Sequence, residues 1–210
     1  TRLAIDCGFR AIDTANQRKH YHEAGVGRAV AGAIDDGIVA RDDFFIQTKF
    51  THEAGQDDRL PYDPDASLTD QVGQSFESSL EHLQVDHVDS YVLHGPSTRS
   101  GIAEADREVW EAMEALQADG RVGSIGVSNV SAEQLEELTA WADIPPAYVQ
   151  NRCFARAGWD LHTRQVCRAH DIVYQGFSLL TANVRELRSA SVAEIAERHD
   201  KTIPQVAFRF

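Results

Sequence analysis

Three apolar segments of the 210-residue chain each end on a residue able to do chemistry: Phe9-Arg10-Ala11-Ile12 on Asp13, Phe44-Phe45-Ile46-Gln47-Thr48 on Lys49, and Tyr91-Val92-Leu93 on His94. A carboxylate, an ammonium and an imidazole at the same end of neighbouring strands would meet in one cavity. Each has a plainer reading alone: Asp13 as a helix cap, Lys49 as a lysine reaching for solvent, His94 as a core histidine bonded to backbone. Together the plain readings weaken, because a charge buried at a cavity mouth is costly unless paired, and Asp13 with Lys49 supplies a pair. A strand lysine can also act as a Schiff-base nucleophile, but an adjacent carboxylate would keep it protonated and unreactive. The triplet His20-Tyr21-His22 contains a His-x-His spacing, yet no carboxylate–histidine set completes a metal site, so none is expected.

Elements that could position these groups follow from the hydrophobic pattern. Six short apolar runs, residues 9–13, 44–49, 88–94, 122–127, 147–150 and 172–177, read as strands buried on both faces. Between them apolar residues recur at three- and four-residue spacing, as in Leu68, Val72, Phe76, Leu80 and Leu83, which predicts amphipathic helices. Gly37 and Gly120 fit helix C-terminal positions, and Ser131 with Gln134 forms a capping box flanked by Val130 and Leu135. Strand ends recur about every 33 residues, so eight units would need roughly 260 residues, close to the ~250 of a TIM barrel. The fold expected is therefore an α/β (β/α)8 TIM barrel, incomplete, with about six of eight units forming one partial domain over residues 1–210. Leu3-Ala4-Ile5 reads as the end of a helix, and Thr202 with Gln205 opens another that the chain stops inside. A Rossmann sheet is rejected, because Gly25-Val26-Gly27 lacks the third glycine and follows no strand.

Composition bounds the function. A formal charge of −13 with no basic cluster argues against nucleic acid. No apolar run approaches a membrane span, and three scattered cysteines suit a reducing cytoplasm better than a disulfide framework. The residues carry no signal for oligomeric state.

The run Gly8-Phe9-Arg10-Ala11-Ile12-Asp13-Thr14-Ala15 resembles the aldo-keto reductase signature. Thr48-Lys49, Leu93-His94-Gly95-Pro96, Gly126-Val127-Ser128-Asn129 and Val149-Gln150-Asn151 follow in that family's order, so the resemblance spans the chain. It implies a catalytic tetrad of Asp13, Tyr21, Lys49 and His94, with Ser128, Asn129 and Gln150 on a nicotinamide carboxamide. Phe177 would stack on the ring, and Ser178 and Leu179 would approach the pyrophosphate. The cofactor implied is NADPH by family habit, with NADH left open, and the partner is a small-molecule aldehyde or ketone. Hydride attack builds negative charge on the carbonyl oxygen, so Tyr21 would give it a proton, helped by Lys49, while His94 orients it. The family places its tyrosine five residues after the aspartate, whereas Asp13 to Tyr21 is eight; counting back from Glu23 lands on His20, the fallback. That shift keeps a second reading alive, a non-catalytic barrel subunit that senses the cofactor; a Schiff-base lyase built on Lys49 is the third.

With two units absent, the first and last strands would each have an unpaired edge and exposed apolar surface. The 210 residues alone are expected to be poorly soluble and inactive. A monodisperse sample that melts cooperatively, seen by light scattering and calorimetry, would contradict this.

Overall fold

The computed structural model describes residues 1–209. Six parallel strands form one sheet in sequence order: β1 (Ala11–Asp13), β2 (Phe45–Phe50), β3 (Val88–Leu93), β4 (Val122–Ser128), β5 (Tyr148–Arg152) and β6 (Val173–Phe177). Helices alternate with them: α1 (Arg2–Asp6) before β1, then α2 (Glu23–Asp35), α3 (Leu68–Leu83), α4 (Glu104–Ala118), α5 (Ala132–Trp141) and α6 (Leu161–Ala169) as the crossovers. After β6 come α7 (Leu179–Ala182), α8 (Val184–Leu187), α9 (Ala190–Arg198) and α10 (Ile203–Arg209). The sheet is an incomplete (β/α)8 barrel, as the pattern predicts. Its curl is visible in one contact: the side chains of Gln47 on β2 and Gln175 on β6 lie 2.8 Å apart. In a flat sheet, strands four places apart would be separated by about 19 Å. No helix among the described residues is long and apolar enough to cross a membrane.

Period-two alternation sorts each strand. On β2, Ile46, Thr48 and Phe50 face the helices, while Gln47 and Lys49 face the interior. The helix side is a continuous apolar layer that includes Ile46, Phe50, Phe76, Tyr91, Trp110, Met113, Ile125 and Leu135. Gly37 and Gly120 take the left-handed conformation expected after a helix. The Ser131–Gln134 capping box is formed in both directions, and Thr202 with Gln205 repeats it at α10.

Each strand differs from expectation by one or two residues at an end, and three of the differences have a visible setting. β1 is shorter, because Gly8 at φ +95° turns the chain after α1 and the Arg10 guanidinium donates to the Ile5 and Phe9 carbonyls. β4 runs on to Ser128, and β5 runs through Asn151 to Arg152, which pairs with Phe177. β1 and β6 each have an unpaired edge among the described residues, and Phe9 and Val173 are more than half exposed there.

One glycine sets how closely α2 approaches α3. A Cβ on Gly27 would lie 2.1 Å from the His82 carbonyl oxygen and 2.8 Å from the Leu83 backbone, which cannot move without shifting α3. Gly27→Ala is expected to destabilise the protein by about 1–3 kcal/mol or more through overpacking. Urea unfolding should show a lower midpoint; an unchanged one would mean that the helices separate freely.

Candidate active site

The interior row begins with the ion pair. Asp13, the last residue of β1, is in register with Gln47, so Lys49 lies one interior step further along β2. Its ammonium reaches across to Asp13 Oδ1 at 2.5 Å and also donates to the Thr14 carbonyl at 2.7 Å. Lys49 has no solvent exposure, whereas Asp13 keeps 41% of its side chain exposed. Burial pushes the lysine pKa below its usual value, against the opposing pull of Asp13 and, more weakly, of Glu23. Asp13 therefore opposes deprotonation without cancelling the effect of burial, a weaker hold than the sequence predicts.

Glu23 was not among the expected site residues. It opens α2, is 4% exposed, and accepts from Thr48 Oγ1 on the helix side of β2, from Ser79 Oγ at 3.1 Å, and is 3.2 Å from His82 Nδ1. It thus fixes β2 from behind at the residue next to Lys49.

Tyr21 closes a turn in which its amide donates to the Gln17 carbonyl at 3.0 Å. Its half-buried ring lies 5.3 Å from the Lys49 ammonium and stands edge-on to the His94 ring, with centroids 5.8 Å apart. His20 beside it is exposed. Of the two candidates, Tyr21 is the one brought against both Lys49 and His94. Desolvation and the Asp13 charge raise the phenol above its ordinary pKa, so Lys49 does not lower it here. His94 follows β3, where its amide donates to the Phe50 carbonyl at 2.8 Å and its Nδ1 lies 2.7 Å from Thr51 Oγ1. Burial and the Lys49 charge push its pKa down to about 4, so the imidazole is neutral at physiological pH.

Ser128 and Gln150 are paired in register between β4 and β5, with Asn129 following at φ +53°. Much of their donor capacity is already used. Ser128 Oγ donates to the Gln150 carbonyl at 2.5 Å, and the Asn129 amide donates to the His94 carbonyl at 2.8 Å and to Ser128 Oγ at 3.1 Å. The carbonyl oxygens of the Asn129 and Gln150 side chains accept nothing from the described protein, so this face offers acceptors first. Phe177 ends β6 half buried, with the Arg152 guanidinium 5.8 Å from its ring centroid. Ser178 turns the chain at φ +56° into α7, which Leu179 opens.

A cleft of about 350 Å³ beside His94 and Asn129 is lined by Gln17, Thr51, His52 and Ser97. Its far wall is held by Asp106, which is 1% exposed, lies 2.9 Å from His52 Nε2 and accepts from the Ser97 amide at 2.7 Å. A larger groove of about 1120 Å³ lies at the opposite end of the strands, among Arg41, Glu77, Asp86 and Arg121. Chemistry in a barrel belongs at the carboxyl ends, where the smaller cleft is. Among the described residues no group of three or more His, Cys, Asp or Glu side chains could hold a metal ion.

A barrel of this form has known counterparts. The model of the aldo/keto reductase family matches residues 1–210, and the chain belongs to that family. It is 32% identical over 210 residues to glyoxal reductase of Bacillus subtilis, covering all of this chain and 67% of the relative, and 32% identical over 227 residues to D-galacturonate reductase of Fragaria ananassa, covering 99% and 66%. The chain spans about two thirds of the length of these relatives. Among solved structures, an aldo/keto reductase of Brucella melitensis superposes with a TM-score of 0.80 at 30% identity, covering 99% of this chain and 71% of that one. A silkworm aldo-keto reductase complexed with NADPH superposes with a TM-score of 0.77 at 29% identity, covering 98% and 63%.

The depressed His94 pKa sets a stability trend. Its folded value of about 4 lies below the unfolded 6.5, so its contribution is complete above pH 6.5 and declines as pH falls toward 4. Between pH 7 and pH 5 that loss is about 2 kcal/mol. Urea titrations at the two pH values should show a smaller decline in His94→Gln than in the unsubstituted protein; equal declines would mean that His94 titrates normally.

Proposed function

We propose that the protein is an NAD(P)H-dependent reductase of small aldehydes or ketones, with Asp13, Tyr21, Lys49 and His94 as its catalytic residues. The observation that carries this reading is the gathering of Lys49, Tyr21 and His94 at one mouth, adjoining the free acceptors of Asn129 and Gln150. Those acceptors fit the NH2 of a nicotinamide carboxamide, and Ser128 fixes the strand pair beneath them. Phe177 offers a ring face, and Ser178 and Leu179 open the short helix beyond it. NADPH is the cofactor we favour, since the silkworm relative is complexed with it, and NADH uses the same carboxamide. When bound, the reduced nicotinamide supplies the hydride.

The protein's own part is proton supply and orientation. Tyr21 donates its phenolic proton to the carbonyl oxygen as negative charge develops there, and the Lys49 ammonium stabilises the phenolate left behind. The raised phenol pKa keeps that proton in place until substrate oxygen arrives. In the tautomer in which Thr51 Oγ1 donates to Nδ1, neutral His94 carries its single proton on Nε2 and offers it to the same oxygen. Lys49 is engaged by Asp13 and Thr14, an arrangement that holds a charge and does not present a nucleophile. Three free thiols suit a reducing cytoplasm.

The eight-residue spacing from Asp13 to Tyr21 supports the second reading, a barrel that binds cofactor without turnover. Steady-state rates on an aldehyde panel separate the two. Tyr21→Phe is expected to lower kcat by about 10²–10⁴, the usual contribution of a positioned acid, with NADPH binding retained. Lys49→Met should lose turnover as well, and His20→Ala should stay within a few-fold of the unsubstituted protein. Loss of turnover in His20→Ala but not in Tyr21→Phe would reassign the donor. No turnover by the full-length protein, with NADPH bound, would favour the sensing barrel.

A further inference from the structure

Gln47 and Gln175 lie inside the barrel and take no part in the chemistry above, yet their amides join two of its parts. Gln47 Nε2 donates to Asp13 Oδ1 at 2.6 Å, the same oxygen that receives Lys49, and to Gln175 Oε1 at 2.8 Å. Gln175 Nε2 returns a bond to Gln47 Oε1 at 3.1 Å, closing an amide pair across the interior from β2 to β6. Gln175 Oε1 also accepts from Gln150 Nε2 at 3.1 Å. The bonded series therefore runs Lys49, Asp13, Gln47, Gln175, Gln150.

The polarity of that series is forced from one end. An ionised carboxylate only accepts, so Gln47 must turn its NH2 toward Asp13. That choice leaves Gln47 Oε1 for an N–H of Gln175 and directs the other Gln47 N–H at Gln175 Oε1. A flipped Gln175 would set NH2 against NH2 and carbonyl against carbonyl. With Gln175 so fixed, its oxygen can be approached by Gln150 only through NH2, and the Gln150 carbonyl is left facing away. Gln47 is 1% exposed and Gln150 8%, with Gln175 half-buried between them, so a bond broken at Gln47 or Gln150 leaves a buried amide unsatisfied.

We propose that Gln47 and Gln175 are positioning residues that transmit the polarity of Asp13 to Gln150, locking it as an acceptor for the carboxamide NH2 of the cofactor. The inference rests on the proposed function, since it assumes that Gln150 meets a nicotinamide. It makes the protein selective for a ring substituent that donates a hydrogen bond. Binding of the carboxamide and placement of the Lys49 charge then share one chain of hydrogen bonds.

The test compares, by isothermal titration calorimetry on the full-length protein, NADP+ with its 3-acetylpyridine analogue, in which a methyl replaces the carboxamide NH2. The unsubstituted protein should prefer NADP+ by about tenfold or more, and Gln175→Met should reduce that preference to about threefold or less, because the freed Gln150 can flip to meet either group. A merely structural defect would weaken both ligands alike and leave the ratio unchanged. Gln175→Glu, which keeps an acceptor toward Gln150, should retain the preference. If Gln175→Met does not fold, Gln47→Met removes the constraint at the Asp13 end and is expected to lower the ratio in the same way. An unsubstituted protein that binds NADP+ without preference, or methionine variants that keep the full preference, would overturn the relay and leave the reductase reading standing. A full-length protein that binds neither dinucleotide would overturn the reductase reading, and the relay with it.

Discussion

An ammonium removed entirely from water costs several kcal/mol unless a counter-charge and good hydrogen bonds meet it, and Lys49 is such a group. Its carboxylate partner comes from the preceding strand, one interior step back, and the second acceptor is the carbonyl of the very next residue, Thr14. That geometry requires β1 and β2 to pair parallel in the observed register, since a slip of one residue would turn Lys49 into the helix layer. The register is secured from outside by Thr48 on Glu23 and from inside by Gln47 on Asp13. The three interactions lie on consecutive residues of one strand and use both of its faces.

The same charge governs its neighbours. It disfavours a second cation nearby, and with burial it keeps His94 neutral, so that the imidazole can serve as a hydrogen-bond donor and not as a competing ion. Around Tyr21 the balance goes the other way: desolvation and the Asp13 charge raise the phenol above its ordinary value. A phenol that keeps its proton at rest and releases it only to an oxygen gaining charge suits an acid that must not ionise beforehand. Beyond this centre the interior becomes a row of amides, where a barrel interior is usually filled by branched apolar side chains. Each of those amides has a partner, so the row adds fixed dipoles without leaving a buried group unsatisfied on the path from Asp13 to Gln150.

Much of this was legible in the residues. Alternating apolar runs and helical periods defined six strands and the barrel, because a parallel sheet covered on both sides needs them in that order. Asp13, Lys49 and His94 could be found as polar residues ending apolar strands. The glycines after α2 and α4 and the cap at Ser131 were equally readable, since each acts through its immediate neighbours. Strand bounds were less so: the turn at Gly8 shortens β1 through contacts with α1 that no local pattern reveals.

The sequence by itself determined which chemical groups the protein has and which end of the sheet they occupy, because strand direction and period-two alternation are local properties. It also carried an unused signal, since Gln47 and Gln175 each stand two residues from a predicted site residue on the same face. Tertiary structure alone decided that Tyr21 and not His20 meets Lys49, that Glu23 braces β2, and that the donors of Ser128 and Asn129 are already engaged. It alone brought Gln47 within 2.8 Å of Gln175, although 128 residues separate them in the chain. Such pairings depend on how far the sheet curls and where a loop returns, and curl is the sum of many small twists that no single stretch of sequence encodes.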